Sequence, residues 1–307
     1  MPSHIRNWSK INKSYVQRGT LYFSLDFLDN WDQELRKMNL GKVGRPFEYP
    51  EQFIWFLAVF HYVFHIPYRQ SQGAIRGLAK YIPKLKDPHF TQIRRRIMEL
   101  DLNALLPDVD PNEDVVIAVD SSGLKVANRG DWIRKQWKVR KGWLKIHIST
   151  TAGRVHILAV EVTTEKVHDR RQFKSLVASS CKKRNVLKAF ADGAYGSADC
   201  FDELDKRGIE PGIRMRMNAV PKFRGHRMLR SKCVRERDRL GGQDAWSKAN
   251  CYGDRWAVES AFGSFKNIFG EYVTAKTFWN MSKEVKIKFG ILNMLLAVPR
   301  FIEWKHT

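Results

Sequence analysis

The chain has 307 residues, 43% of them hydrophobic, and its 54 Lys and Arg against 32 Asp and Glu leave a formal net charge of +22. That length and apolar share suffice to bury a sizeable core, which excludes disorder as the default, and so large a positive charge points to a polyanionic partner, nucleic acid first. The cations are spread over several segments rather than gathered on one amphipathic helix, which argues against a membrane surface, and the two most apolar runs, 53–66 and 289–302, fall short of the roughly 20 residues a bilayer demands.

In chain order, the first 44 residues form an N-terminal stretch without an apolar signal core, in which Leu21 to Met38 reads as a helix ending near Gly41 and Gly44. Arg45-Pro-Phe-Glu-Tyr-Pro50 breaks the chain. Residues 45–108 then read as a small helical module, with helices over 53–65, 71–81 and 91–100 separated by Pro67, Pro83 and Pro88. The last carries Gln92, Arg94, Arg95 and Arg96. These cations suit a DNA-binding helix of helix-turn-helix type, or equally a basic helical cap. Residues 107–111 make a plausible linker.

Residues 112–307 carry the candidate chemistry. Val115-Val-Ile-Ala-Val-Asp120-Ser-Ser-Gly and Val186-Leu-Lys-Ala-Phe-Ala-Asp192-Gly each show an apolar run, an Asp and a Gly-containing turn, which predicts two strands that each deliver a carboxylate at their ends. Between them, 143–151 and 155–164 flank Ala152-Gly153 as a hairpin, and a helix is expected near 170–181. His147 alternates with apolar neighbours as a satisfied buried histidine would, and Asp169 suits a helix N-cap. Lys125 to Lys145 holds eight Lys or Arg, Lys138, Arg140 and Lys141 among them, with Trp132, Trp137 and Trp143 interleaved. That mixture suits either a nucleic-acid track or ordinary core tryptophans. Between Arg214 and Arg239, ten Lys or Arg accompany two acids without clear periodicity, as an extended basic track or a disordered loop would. The cysteines, Cys181, Cys200, Cys233 and Cys251, have no C-x2-C pairing, so free thiols in a reducing cytosol are expected rather than zinc. No Gly-x-Ser-x-Gly elbow surrounds Ser121 and Ser122, so serine-nucleophile chemistry is not supported.

Tyr252, Arg255, Glu259 and Lys266 recur at three, four and seven residues, which on an α-helix sets them along one stripe. Val258, Phe262, Phe265 and Phe269 form a neighbouring apolar stripe, so one face can dock on a core while a carboxylate flanked by cations stays open.

Tyr252-x2-Arg255-x3-Glu259-x6-Lys266 resembles the signature around the catalytic glutamate of DDE transposases from prokaryotic insertion sequences, especially the insertion-sequence-five group, and the two upstream aspartates fit the same pattern over roughly residues 112–300. The resemblance implies an α/β fold: an RNase H-like mixed sheet in βββαβαβα order, an N-terminal helical DNA-binding module, and a basic insertion at about 214–250 before the glutamate helix. It implies that Asp120, Asp192 and Glu259 are catalytic and hold Mg²⁺, with Mn²⁺ able to substitute, as two ions. Tyr252, Arg255 and Lys266 would contact DNA near the cut, or scaffold Glu259 through salt bridges. The implied reaction is cut-and-paste transposition, with water and then a 3′-hydroxyl attacking phosphorus, on double-stranded DNA with terminal inverted repeats. A homodimer or larger assembly on DNA and a cytoplasmic, nucleoid-associated location follow from the same likeness. A metal-dependent nuclease or resolvase of the same fold, and a non-catalytic DNA-binding descendant, are the competing readings.

Overall fold

The computed structural model describes residues 8–101, 110, 112–127, 130–138, 142–153, 155–221 and 228–304. The expected linker, Asp110 apart, lies outside them, as do Arg140 and Lys141. The chain divides into two compact units, Met1–Pro107 with Lys286–Thr307, and Asp108–Val285. This differs from the expected segments: the stretches before and after residue 45 belong together, and the end of the chain joins them rather than the presumed catalytic region.

In the first unit, α1 (Trp8–Tyr22), α2 (Trp31–Asn39), α3 (Glu51–Tyr62), α4 (Tyr68–Ala79) and α5 (Phe90–Glu99) are helical. Helix α3 is apolar all round and is accordingly buried from Phe53 to Phe60. The helix expected over 21–38 is broken, with a short 3₁₀ turn at Asp26–Leu28. The break lets Phe23 meet Phe60, and Phe27 and Trp31 meet Phe53. Ile287, Phe289, Ile291, Leu292 and Leu295 are buried, and the Lys288 ammonium lies 5.8 Å from the Tyr62 ring centre.

The second unit is a mixed sheet with helices. Its elements are β1 (Asp114–Val126), α6 (Gly130–Trp137), β2 (Leu144–Thr151), β3 (Ile157–Thr164), α7 (Arg170–Cys181), β4 (Asn185–Ala191), α8 (Ala198–Lys206), β5 (Glu210–Ile213), α9 (Met228–Arg239), α10 (Gln243–Ala249), α11 (Trp256–Phe269), β6 (Tyr272–Val273) and the start of α12 (Phe278–Trp304). The strand order is β3-β2-β1-β4-β5, with β6 also pairing β1. Strand β2 runs antiparallel to its neighbours β1 and β3, whereas β4 runs parallel to β1 and to β5. Parallel β1 and β4 need a crossover, and α7 is in it.

Alternation along β1 decides which side chains share a face. Val115, Ile117 and Val119 enter the core formed with Phe173, Leu176 and Val177 of α7 and with Phe201 and Leu204 of α8. The residues between them face the other way, where α11 packs on β1 and β2. In α11 the expected apolar stripe is realised, with Val258, Phe262, Phe265 and Phe269 all buried.

Two expectations fail here. Strand β1 does not end at Asp120 but continues to Val126, because Ser121 to Leu124 still pair with His147 to Leu144 of β2. Gly123 is therefore a strand residue, and a Cβ there would stand 2.7 Å from the Trp143 ring, so glycine lets that indole lie across the strand. The basic stretch 214–239 is not wholly irregular: α9 occupies its second half, anchored by buried Cys233 and Val234, and α10 follows it with buried Trp246. Its residues 222–227 lie outside the described ones.

Candidate active site

The register of the central strands brings the two aspartates together. Val119 of β1 is the partner of Ala191 of β4, and Asp120 and Asp192 are the next residues along these parallel neighbours. Here the strands part. Strand β4 stops at Ala191, and Asp192 caps a 3₁₀ turn, Gly193–Tyr195, by accepting a hydrogen bond from the Ala194 amide at 2.9 Å. Strand β1 goes on alone along that edge until β6 joins it at Lys125. Asp120 thus lies where the sheet opens. Its Oδ1 accepts the Ser121 amide at 2.8 Å. Burial raises its pKa, outweighing the Ser121 amide and Arg255, and the charge of Asp192 pushes in the same direction.

Glu259 reaches these acids through Arg255. The guanidinium donates from Nη1 to Asp120 Oδ2, 135 positions away in the chain, at 2.8 Å and from Nη2 to Glu259 Oε1. Burial disfavours the Arg255 charge, but Tyr252, Asp120 and Glu259 together outweigh it and raise its pKa. Glu259 itself is well exposed, with 60% of its side-chain surface accessible.

Tyr252 is not on the helical stripe. It begins a 3₁₀ turn, Tyr252–Arg255, entered through a left-handed Cys251 at φ 54°. Its ring lies edge-on to Phe190 and near Trp246, and its hydroxyl donates to the Ala191 carbonyl at 3.2 Å. Tyr252 therefore clasps the end of β4 one residue before Asp192. Burial lifts its pKa to about 12, keeping the hydroxyl protonated and able to donate. Gly212 of β5 supports this: a Cβ there would stand 2.3 Å from the Phe190 ring, the ring that Tyr252 meets. Lys266, two turns beyond Glu259, pairs with Glu271 at 3.2 Å.

A second polar group lies on the opposite face of β1. Asp169 does not cap α7 with its side chain. It pairs instead with the Lys145 ammonium at 2.7 Å and lies 3.4 Å from His147 Nδ1. Burial raises the pKa of Asp169, but bonds from Lys145 and Ser121 outweigh it and the net shift is downward. His147 is fully buried, with Nε2 2.9 Å from the Thr163 hydroxyl, and burial holds its pKa down at about 4. It is buried as expected but satisfied at Nε2 alone, since the buried Nδ1 has no hydrogen-bond partner. Tyr195, also buried, senses Asp169, Asp120 and Asp192, and burial drives its pKa upward. Sequence reasoning missed this group because Asp169, Lys145 and Ser121 lie on three different elements. Alternation in β1 was the available signal, since Ser121 must face away from Asp120.

Other expected contact residues separate. Arg94 and Arg95 are exposed on α5 and Lys138 is exposed after α6. Arg96 is a correction: it is buried on the same side of α5 as Ile93 and Ile97, its guanidinium 4.1 Å from the Phe47 ring centre, and it packs the helical unit instead of facing solvent. Trp143 is half-buried against Gly123, and Trp137 meets Phe278 edge-on at 6.0 Å, so both have protein neighbours.

The profile of the family described as Transposase DDE domain matches residues 111–294, more than half of the chain, from before β1 into α12. The chain belongs to this DDE transposase family. A second profile of the same description matches residues 16–129. Among solved structures, the chain is similar to the piggyBac transposase synaptic complex with hairpin DNA, at a TM-score of 0.42 and 10% identity, covering 95% of this chain and 76% of that one. It is also similar to the Drosophila P element transposase strand transfer complex, at 0.35 and 12%, covering 87% and 69%. A chain of the simian T-cell lymphotropic virus intasome in complex with PP2A regulatory subunit B56 gamma gives 0.26 and 15%, covering 63% and 64%. These likenesses are distant, and the assignment rests on the family profiles.

The three acids the family implies do not meet as one ready cluster: among the described residues, no group of three His, Cys, Asp or Glu is gathered for a metal ion. Asp120 and Asp192 abut, and Glu259 is linked through Arg255. The donor set nonetheless fits a hard divalent cation. All donors are carboxylate oxygens, Asp192 adds to the cost of charging buried Asp120, and a guanidinium already serves as the cation between Asp120 and Glu259. No membrane-crossing helix occurs among the described residues.

Proposed function

We propose that this chain is the transposase of a prokaryotic insertion sequence of the insertion-sequence-five group or a close relative, acting beside the nucleoid by cut-and-paste transposition. Its second unit is read as RNase H-like, in keeping with the strand order β3-β2-β1-β4-β5 and the β1-to-β4 crossover. One observation carries the proposal: Arg255 joins Asp120 and Glu259 at the strand end that also presents Asp192.

Asp120, Asp192 and Glu259 would hold Mg²⁺, as two ions, which when bound supply charge stabilisation at the scissile phosphate and an activated attacking oxygen. The protein's own part is to prepare that place. Tyr252 fixes the end of β4 through the Ala191 carbonyl, and the Ser121 and Ala194 amides orient one oxygen each of Asp120 and Asp192. Freed from the acids, Arg255 has a planar set of donors suited to a phosphate, and Lys266 is a second cation two turns further along α11. Arg94, Arg95 and Lys138 are exposed cations suited to duplex DNA, the first two supporting a DNA-binding role for the helical unit at the terminal inverted repeats. Because two ends must be held at once, the acting form is a homodimer or larger assembly on DNA.

Incubating the protein with Mg²⁺ and linear DNA bearing the element's ends tests this. Joined products are expected. Nicks without joining would make the chain a nuclease, and retention of uncut DNA would make it a binding protein.

A further inference from the structure

Beside Asp192 is a cavity of about 660 Å³ whose walls carry Arg170, Arg216, Arg230 and His168. It begins at Gly193 and Ala194, the residues that follow Asp192, so its mouth adjoins the aspartate loop. Two of its arginines are oriented by that loop. Arg216 Nε donates to the Gly193 carbonyl at 3.3 Å, and Arg230 Nε donates to the Gly196 carbonyl at 3.0 Å. Binding a carbonyl through Nε aims a guanidinium while outer N–H groups keep donor capacity, although Arg230 Nη1 also donates to the Val220 carbonyl at 3.5 Å. The carboxylate in the wall, Asp169, is offset by its ion pair with Lys145. Arginines brought together from α7, the turn after β5 and α9 leave the cavity strongly positive.

We propose that this cavity is a phosphate cradle for the backbone of one DNA strand, holding the nucleotides beside the phosphate that lies at Asp120 and Asp192. The inference deepens the transposase reading and rests on it. Guanidinium groups on several sides of an open cavity fit successive phosphates of a polynucleotide, and the coupling to Gly193 and Gly196 ties the position of that strand to the loop that carries Asp192. Such phosphate binding carries no base information, so its contribution is the same for every sequence. Arg216 and Arg230 thus belong to this cradle, whereas Arg237 of the same stretch holds the carbonyls of Arg216 and Ala219.

The test measures duplex DNA binding by the full chain without divalent ions over a range of salt concentrations. Arg170→Ala with Arg216→Ala is expected to lower the slope of log affinity against log salt by about two, roughly one for each phosphate no longer neutralised. The weakening should be equal on unrelated sequences. Arg170→Lys with Arg216→Lys should restore most of the slope, which separates missing phosphate neutralisation from a damaged fold. Lys182→Ala with Lys206→Ala removes the same charge from exposed positions away from the cavity and should change the slope by well under one. An equal drop in this control, or an unchanged slope in the first variant while the wild type still binds DNA, overturns the cradle alone. A wild type that binds no DNA overturns the transposase reading and the cradle with it.

Discussion

Two arginines of the second unit, half-buried Arg255 at the start of α11 and buried Arg237 in α9, solve one problem differently. A guanidinium removed from water needs compensation, and each finds it close by. Arg237 donates to the carbonyls of Arg216 at 2.8 Å and Ala219 at 3.1 Å and pairs with its neighbour Asp238. Its partners are mostly backbone carbonyls, so it is a clamp. Arg255 is compensated by Asp120 and Glu259, two acids from distant parts of the chain. Carboxylates can exchange a guanidinium for a metal ion, and backbone carbonyls of a folded turn have no such choice. The same residue type is scaffold in one place and a replaceable counter-cation in the other.

The largest expected effect separates the acids from either arginine. Replacing Asp120, Asp192 or Glu259 singly by Ala should reduce end cleavage and strand joining roughly a thousandfold or more, with the fold retained by circular dichroism. Full joining by any of the three would end the comparison, because Arg255 would then bridge two acids with no chemical task. Next comes Arg237→Ala, which takes the guanidinium donors from the Ala219 carbonyl and from the Arg216 carbonyl, the latter keeping only the Ala219 amide. It should cost about 2 to 3 kcal/mol in chemical denaturation, and added Mg²⁺ should not recover it.

His147 offers a third way to bury a basic group, by keeping it neutral. Its pKa in the fold, about 4, lies below the ordinary 6.5, so the unfolded chain takes up a proton first as pH falls. The associated stability is complete above pH 6.5 and is lost as pH falls toward 4, by roughly 2 kcal/mol on reaching pH 5. Denaturation midpoints of wild type and His147→Gln at pH 7 and pH 5 should show a flatter dependence in the variant. Equal slopes would mean that another group carries the acid sensitivity.

The smallest expected effect is the sharpest for Arg255. Arg255→Ala should destabilise the metal-free protein by only about 1 to 2 kcal/mol, since Glu259 is largely exposed. Mn²⁺ should then raise its melting temperature more than that of the wild type, because the ion no longer competes with a guanidinium. An equal or smaller rise would show that Arg255 and the ion do not share the carboxylates.

How much of the molecule is readable from its residues alone follows from the range of the forces involved. Strands at 115–119, 143–151, 155–164 and 186–191, the helix near 170–181 and the buried stripe of α11 were legible, because period 2 and period 3.6 are local consequences of backbone geometry. The length of β1 was not, since only pairing with β2 extends it past Asp120. The helicity of α9 was hidden too: Cys233 and Val234 are too few to give a period, and Arg237 is held by a turn that the sequence does not reveal. Arg94, Arg95 and Arg96 look alike in a string of letters. Only the packing of Ile93 and Ile97 shows that Arg96 is turned inward.

By itself the sequence determined the family signature, the positive charge and the residues able to carry carboxylate chemistry, because these depend on residue type and spacing along the chain. The tertiary structure decided which of them meet. Strand register put Asp120 beside Asp192, a 3₁₀ turn took Tyr252 off the helical stripe to hold Ala191, and burial left Arg255 between two acids as their counter-cation. Apart from the i,i+4 pair of Arg255 with Glu259, each of these is an interaction across tens of residues or more, set by pairing and desolvation that no local pattern encodes.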